Sequence, residues 1–438
     1  MNSSLVVNTG AAGGNVTFTS TLDSESGEAN TLDITAGTGN IDFDGIVGGA
    51  VNGALGAVTI KSATNVTADD AFSAASLRQV AGSGMTTFTG ALTTTAANGI
   101  NVNGTNFDFN GAVSLTLGNL DLDSTGTVRF NGLVTTSDIA NGLVTITNGG
   151  QLTITATGDM NLQGAFLQDG AGVVSTAGDI TTSDDNVTFQ SAVTLTDGIV
   201  INTGNGAGTV AFNDTLDSAA NAASTLDITA GSGNIDFDAA VGIATDGELG
   251  AITIVSATDV TADSTIEAAS LVQQGGTLTT LTDDVTTSTG AGVNITASDI
   301  RLDGLTINTA TGNGVVTMNG ATRLDDAVTI TRGTGAVTFT GTVDSQANSG
   351  NTASELNNLT VDGVGGGAIA FQGDVGAAQN ATPQNMGRLG AVTIATATDL
   401  TVTDGKSFNA VSFAQQAGTN TTFGGLVNTS GQIDSTVD

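Results

Sequence analysis

The chain has 438 residues, with 8 Lys or Arg, 42 Asp or Glu, and no His, Cys, Trp or Tyr, so its formal charge is −34. Without Cys and His it cannot form disulfides, zinc fingers or a His-based catalytic triad, and the negative charge argues against nucleic acid and anionic membranes as partners. The hydrophobic fraction of 39% argues against disorder. Abundant Thr, Val, Gly and Asn instead favour strands and turns.

The chain begins MNSSLVVNTG, without a basic segment or a long apolar run, so we expect no signal peptide and no membrane insertion. The first apolar run, Leu5–Val7, is predicted to be a strand. The last residues, GQIDSTVD, continue the same type of sequence. Because solenoids usually have capped ends, we expect a fragment of a longer protein or a subunit whose ends meet other subunits.

From residue 16 onwards, short segments alternate apolar and polar residues, which predicts strands with one buried face. One segment, Asp69–Val80, is rich in Ala and Ser and is the best helix candidate; we interpret it as a bulge or loop. The predicted inward pairs are Val16/Phe18, Leu32/Ile34, Ile41/Phe43, Val58/Ile60, Phe107/Phe109, Val128/Phe130, Ile235/Phe237, Val337/Phe339 and Ile369/Phe371.

These segments recur 18 times, mostly 19 to 27 residues apart. A longer repeat lies above them: LVVNTG at residue 5 returns as IVINTG at residue 199, and TLDITAGTGNIDFD at residue 31 returns almost unchanged at residue 225, both 194 residues later. A looser third copy follows, so the long repeats are approximately 5–198, 199–326 and 327–438.

A period of about 20 residues fits one turn of a β-solenoid with two or three short strands. The predicted fold is therefore all-β, a parallel β-solenoid of about 18 coils that is continuous over residues 1–438.

Motifs such as TLDITAGTGNIDFDG, LGAVTIKSATNVTAD and FNGAVSLTLGNL resemble the β-strand repeats of filamentous-haemagglutinin-like and autotransporter-adhesin-like bacterial exoproteins. The resemblance covers nearly the whole chain. It implies a right-handed parallel β-helix, export to the bacterial cell surface, and a role in adhesion or extracellular matrix. The chain departs from that pattern because it shows neither a secretion signal nor an N-terminal cap domain.

Three acidic pairs flank an apolar strand residue at positions i and i+2, so both carboxylates of a pair are predicted to point to the same face of a strand. Oxygen ligands of this kind suit Ca²⁺, the one cofactor that the sequence suggests. The alternative is a solvated acidic face that keeps the solenoid soluble. The pairs are Asp42/Asp44, Asp121/Asp123 and Asp236/Asp238.

Paired carboxylates also occur in glycoside hydrolases. By resemblance, β-helix enzymes that cleave polysaccharides cluster their acids with a base near a groove, whereas the basic residues here are isolated along the chain. We therefore expect no enzyme, with a polysaccharide-active β-helix as an alternative. The basic residues are Lys61, Arg78, Arg129, Arg301, Arg323, Arg332, Arg388 and Lys406.

The sequence favours a non-enzymatic extracellular structural protein that assembles head to tail with itself into filaments or matrix. Other surface proteins or glycans are further expected partners. The alternative is a stalk or passenger fragment of a large surface adhesin. The predicted assembly interface consists of Leu5, Val6, Val7, Phe423, Leu426, Val427 and Ile433.

Overall fold

The computed structural model describes residues 1–347, 354–363, 365–376, 387–429 and 433–435. These residues form strands and turns and contain no helix, so no segment among them is a helix that could cross a membrane. The chain divides into two compact units, Met1–Asp214 and Thr215–Asp438. Each unit is built of parallel stacked coils, and the chain forms a β-solenoid of about 18 turns, as predicted.

Each turn of the first unit contributes three short segments, which stack on the next turn as three parallel ladders called A, B and C. Ladder A contains Leu5–Asn8, Leu32–Thr35, Leu55–Ser62, the second half of Phe72–Gln79, Ile100–Gly104, Leu120–Ser124, Val144–Asn148, Phe166–Gln168, Val187–Phe189 and Val210–Phe212. Ladder B contains Val16–Phe18, Ile41–Phe43, Val66–Ala68, Met85–Phe88, Asn106–Phe109, Val128–Phe130, Leu152–Ile154, Val174–Thr176 and Val193–Leu195. Ladder C contains bridges at Leu22 and Val47, the first half of Phe72–Gln79, Leu92–Thr94, Val113–Leu115, Val134–Thr136, Met160–Asn161, Ile180–Thr181 and Ile199–Asn202.

The second unit has three ladders of the same kind, called D, E and F. Ladder D contains Leu216–Ser218, a bridge at Val241, the first half of Ile266–Gln273, Val285–Thr287, Thr306–Asn308, Val328–Arg332, Leu359–Gly363, the first part of Leu389–Val402, the middle of Phe408–Phe423, and Ile433–Ser435. Ladder E contains Leu226–Thr229, Leu249–Ser256, the second half of Ile266–Gln273, the first halves of Val293–Leu302 and Val316–Leu324, Val337–Phe339, Ile369–Phe371, and the ends of Leu389–Val402 and Phe408–Phe423. Ladder F contains Ile235–Phe237, Asp259–Ala262, Leu278–Leu281, the second halves of Val293–Leu302 and Val316–Leu324, Val343–Ser345, a bridge at Val375, the start of Phe408–Phe423, and Val427–Thr429.

The predicted inward residues form the core of each unit. All of them are buried except Phe18, which is half-buried because it lies in the first coil. Phenylalanine rings stack between coils: the ring centroids of Phe109 and Phe130 are 5.0 Å apart, and those of Phe339 and Phe371 are 5.3 Å apart. This offset stacking adds to the burial of apolar surface, so each coil is stabilised by its neighbours.

The interpretation of Asp69–Val80 as a bulge or loop was wrong, because Phe72–Gln79 is an eight-residue strand. Its first residues pair in ladder C and its last residues pair in ladder A. The small side chains of Ala74 and Ser76, both buried, let this strand follow the corner between the two ladders. The Ala- and Ser-rich composition therefore reflects a tight corner.

The 194-residue repeat does not equal a whole number of turns. Leu5–Asn8 lies in ladder A, but its copy Ile199–Asn202 lies in ladder C, eight full turns and two further segments later. Likewise, Val16–Phe18 lies in ladder B and its copy Val210–Phe212 in ladder A. The same sequence therefore packs correctly in two different ladders.

The three copies share a buried corner that the sequence reasoning missed. Gln79, Gln273 and Gln415 are buried, and each accepts a hydrogen bond at Oε1 from a threonine hydroxyl six or seven residues later, at 3.0, 2.8 and 2.6 Å. A glycine stands three residues after each glutamine, where a Cβ would lie only 2.2 to 2.6 Å from Nε2. The Q-x-x-G spacing, which all three copies share, was the sequence signal that could have indicated this corner.

Glycines two residues after consecutive strands of ladder B also stack on one another. A Cβ on Gly111 would lie 2.3 Å from the carbonyl carbon of Gly90, and one on Gly132 would lie 2.4 Å from that of Gly111. We expect Gly111→Ala to lower the free energy of unfolding by about 2 kcal/mol or more, because two backbones must separate. Urea unfolding followed by circular dichroism measures this change.

Gly14→Ala is the matched control. The nearest atom to its Cβ is Thr9 Cβ at 3.5 Å, an ordinary contact. Its effect should stay within about 0.5 kcal/mol. Equal effects of the two substitutions would contradict the glycine-stacking argument.

Candidate functional site

The first coil has an open strand edge. Leu5–Asn8 pairs with Leu32–Thr35 on one side, and no described strand pairs with its other side. The apolar side chains of this strand are poorly covered: Leu5 is 36% exposed, Val6 is 67% exposed, and Val7 is half-buried. Leu5 and Val7 register with the buried Leu32 and Ile34, so they point inward, whereas Val6 points to the solvent.

The last coil is open in a similar way. Val427–Thr429 and Ile433–Ser435 each pair with Phe408–Phe423, and no described strand covers them. Phe423 and Val427 are half-buried, and Leu426 is 57% exposed. The backbone of Ile433 lies in the predicted interface, but its side chain falls outside the described residues.

These two edges can bind further strands. A strand paired on one side presents a row of unused N–H and C=O groups on the other, and such an edge is a template for pairing with another chain. Here, inward apolar side chains accompany both edges, so a second chain would bury apolar surface as well as complete the ladders. The described residues of the predicted interface thus lie in the first coil and in the last described coil, and the interface itself stays a prediction.

The acidic pairs lie on outward faces of three separate coils. In each pair one carboxylate is half-buried and the next is exposed, and the residue between them is buried. The structure does not bring the three pairs together. Among the described residues, it also forms no group of three or more His, Cys, Asp or Glu side chains that could hold a metal ion. The calcium site therefore stays a prediction.

The placement of Asp44 on the same strand as Asp42 was wrong. The strand Ile41–Phe43 contains Asp42 and ends before Asp44, which is exposed. The backbone N–H of Asp44 still donates to the carbonyl oxygen of Phe18 at 2.9 Å, but the turn that follows at Gly45 takes the chain out of the ladder. Asp238 likewise follows the end of its strand, Ile235–Phe237. Asp44 and Asp238 therefore each lie one residue beyond the strand that holds the first carboxylate of the pair.

The pair Asp121/Asp123 is the one that lies within a single strand, Leu120–Ser124, and it has neutral polar neighbours. Asp121 registers with Asn101 and Thr145, and Asp123 registers with Asn103 and with residue 147, a threonine. Asn103 donates a hydrogen bond from Nδ2 to Asp123 Oδ2 at 2.9 Å. This pair offers Ca²⁺ carboxylate, amide and hydroxyl oxygens on one flat surface.

In the third acidic pair, the surroundings of Asp236 disfavour its ionised carboxylate. Burial raises the pKa of Asp236 above its usual value, and the negative charges of Asp238, Asp263 and Asp259 raise it further. The ionised form is therefore disfavoured in the folded chain.

Few basic side chains neutralise these acids. The described ion pairs are Lys61–Asp33, Arg323–Asp325 and Lys406–Asp374. Arg332 has a different role: it is buried in the core, where its guanidinium donates to the carbonyl oxygens of Gly335 and Thr396. None of the three predicted acidic pairs contributes a carboxylate to these described ion pairs.

Comparison of the chain with protein-family models, with curated proteins and with solved structures finds no match. The structure supports the coarser statement, that this is a β-helix repeat protein. Its likeness to filamentous-haemagglutinin-like and autotransporter-adhesin-like exoproteins rests on the sequence motifs alone.

Asp236→Asn should stabilise the chain at pH 7. Because the folded pKa of Asp236 is raised, its contribution to stability is complete below the unfolded pKa of about 3.8 and is lost as the pH rises through the folded pKa. The melting temperature of the variant should therefore exceed that of the wild type at neutral pH and converge with it towards pH 3. Thr261→Asn, at the register neighbour of Asp236, is the uncharged control and should show no pH-dependent difference.

Calcium binding at Asp121/Asp123 should stabilise the wild type by about 1.4 kcal/mol when Ca²⁺ is present at ten times its Kd. Thermal unfolding with Ca²⁺ and with a chelator measures this shift. The double variant Asp121→Asn, Asp123→Asn should lose it, while Asp108→Asn, which removes an outward carboxylate outside the pairs, should retain it. If Ca²⁺ stabilised the double variant and Asp108→Asn equally, the effect would come from general screening of negative charge and not from a site at Asp121/Asp123.

Proposed function

We propose that this protein is a non-enzymatic structural component of the bacterial cell surface, a β-solenoid that assembles head to tail into extracellular filaments or matrix. The observation that carries the proposal is the pair of open edges, Leu5–Asn8 on the first coil and Val427–Thr429 on the last described coil. The two edges belong to different surfaces, so a contact between them is heterologous and propagates into a fibre unless rotation closes it.

The order of strands suggests how two molecules join. After Ile433–Ser435 in ladder D, the next segment of the solenoid belongs in ladder E, on the end of Phe408–Phe423. Leu5–Asn8 of a second molecule would take that place, and its Val16–Phe18 would follow on Val427–Thr429. The junction would then continue the parallel ladders with inward side chains meeting inward side chains.

The composition supports an extracellular location. Between Arg129 and Arg301 the chain has no Lys or Arg, and it contains no Cys, Trp, Tyr or His. Such a chain gives trypsin-like proteases few sites and oxidants few targets. The proposed partners, besides a second copy of the chain, are other surface proteins and glycans.

The resemblance to exoprotein repeats favours a second candidate, a stalk or passenger segment of a large surface adhesin. A stalk presents a binding region elsewhere and does not need to associate with itself. Self-assembly of the purified chain therefore separates the two candidates.

Two variants test the head-to-tail junction. Val7→Lys and Val427→Lys each place an inward charge at one end, so neither variant alone should form the fibres seen by electron microscopy of the wild type. Because each variant keeps one intact end, an equimolar mixture should form dimers and stop there. Sedimentation velocity measures this outcome.

Val6→Lys adds the same charge to the first of these two strands, but at an exposed position on the solvent face, and should still form fibres. Fibres from Val7→Lys alone would refute a junction at this edge. Monomeric wild-type protein at every concentration would favour the stalk.

A further inference from the structure

The outward face of ladder A carries two adjoining hollows. The first, of about 550 Å³, surrounds Arg78. The second, of about 190 Å³, surrounds Asp121 and Asp123. Both are lined by Asn101, so they adjoin at that residue, and we call the two hollows together the Arg78 groove.

A tight turn forms one rim of the groove. The backbone N–H of Gly99 donates to Ala96 at 2.9 Å, and Gly99 has a positive φ of 52°. A Cβ at this position would lie 2.2 Å from the carbonyl oxygen of Asn119, so the turn requires glycine. The turn places the exposed side chain of Asn98 beside Arg78.

Arg78 is an exposed cation without an acidic partner among the described ion pairs. Its register neighbours on the two adjacent coils are Thr59 and Asn101. The nearest acidic residues of the same row, Asp33 and Asp121, are two coils away, about 10 Å. Asp33 is paired with Lys61 at 3.1 Å, and no described ion pair joins Arg78 to Asp121. The guanidinium is therefore free to bind an oxyanion.

The rest of the groove favours a ligand rich in hydroxyl groups. Amide, hydroxyl and carboxylate side chains line it, and Ala57 is its one small apolar side chain on the outer face. A peptide strand cannot add here, since the strands beneath Arg78 and Asn101 are already paired on both sides. The carboxylates of Asp121 and Asp123 can accept bonds from hydroxyls but repel a second anion.

We infer that the Arg78 groove binds a glycan whose terminal sugar carries a carboxylate. The carboxylate pairs with Arg78, and hydroxyls of that sugar bond to Asn98 and Asn101. The following neutral sugars lie over Asn103, Asp121 and Asp123, along the direction in which the coils repeat. This inference rests on the glycan partner of the proposed function and does not require filaments.

The second long repeat contains a natural control for this site. The register Thr59–Arg78–Asn101 of the first copy corresponds to Thr253–Val272–Asn294 in the second. The two register neighbours are identical, but Val272 replaces the cation, and Ala291 stands where the first copy has Asn98. The next coil of the second copy carries Thr317 and Asn319 at the register positions of Asp121 and Asp123. The first copy should therefore bind the acidic glycan and the second should not.

The test uses the full chain, titrated with a glucuronic-acid-terminated oligosaccharide and with its neutral glucose-terminated counterpart, by calorimetry. The wild type should bind the acidic sugar with a stoichiometry of one and the neutral sugar at least about tenfold more weakly. Arg78→Gln should lose this preference. Arg129→Gln, which removes the same charge from an exposed position in ladder B, should keep it.

The double variant Val272→Arg, Ala291→Asn should raise the stoichiometry from one to two, because it supplies both the missing cation and the missing amide of the terminal-sugar site. Unchanged affinity in Arg78→Gln, or equal binding of the two sugars, would overturn the inference. Equal affinity for acetate would overturn the glycan assignment in favour of a simple anion site. Repeating the titration with the Val7→Lys variant separates failure of this site from failure of filament assembly.

Discussion

Parallel pairing between successive coils is the interaction on which this structure depends. Among the described residues, a strand in an inner coil pairs its backbone N–H and C=O groups with the coil before it and the coil after it, since no strand can bond to itself. Inward apolar side chains follow the same rule, as the stacked rings of Phe109 and Phe130 show. A coil is therefore incomplete alone, and the described strands Leu5–Asn8 and Val427–Thr429 each have a neighbouring coil on one side.

The same pairing restricts where chemistry can occur. Inward positions must be apolar or internally bonded, as in the buried corner at Gln79 and Thr86. Outward side chains do not pack in the core, so their charge can differ from coil to coil. Arg78 and Val272 occupy equivalent outward positions, each between a threonine and an asparagine in register, and the fold accepts both. Function on such a scaffold lies in single outward side chains and in the turns beside them.

Much of the fold could be predicted from the sequence because strand alternation is a local signal. The inward pairs and the number of turns follow from a period of two within strands and about 20 between them. Phe72–Gln79 escaped this reasoning because its corner of small residues hides the alternation. The number of ladders and the displacement of the long repeat depend on strand pairing, which the spacing alone does not define.

The candidate sites also differ in how far local sequence could predict them. The groove at Arg78 depends on the turn at Gly99 and on register neighbours more than 15 residues away in the chain. No local sequence pattern therefore predicts it. Asp44 was assigned to a strand because alternation continues one residue past Phe43, where the strand has already ended.

The long repeat is displaced by two thirds of a turn, from ladder A to ladder C, and this displacement bears on how such a chain can evolve. LVVNTG in ladder A and IVINTG in ladder C show that one gene segment folds at two different rotations about the solenoid. Unequal recombination therefore need not preserve complete turns; it is enough that it preserves complete strands. A lineage of such proteins could lengthen in thirds of a turn, and each duplication would point its outward residues in a new direction without altering the core.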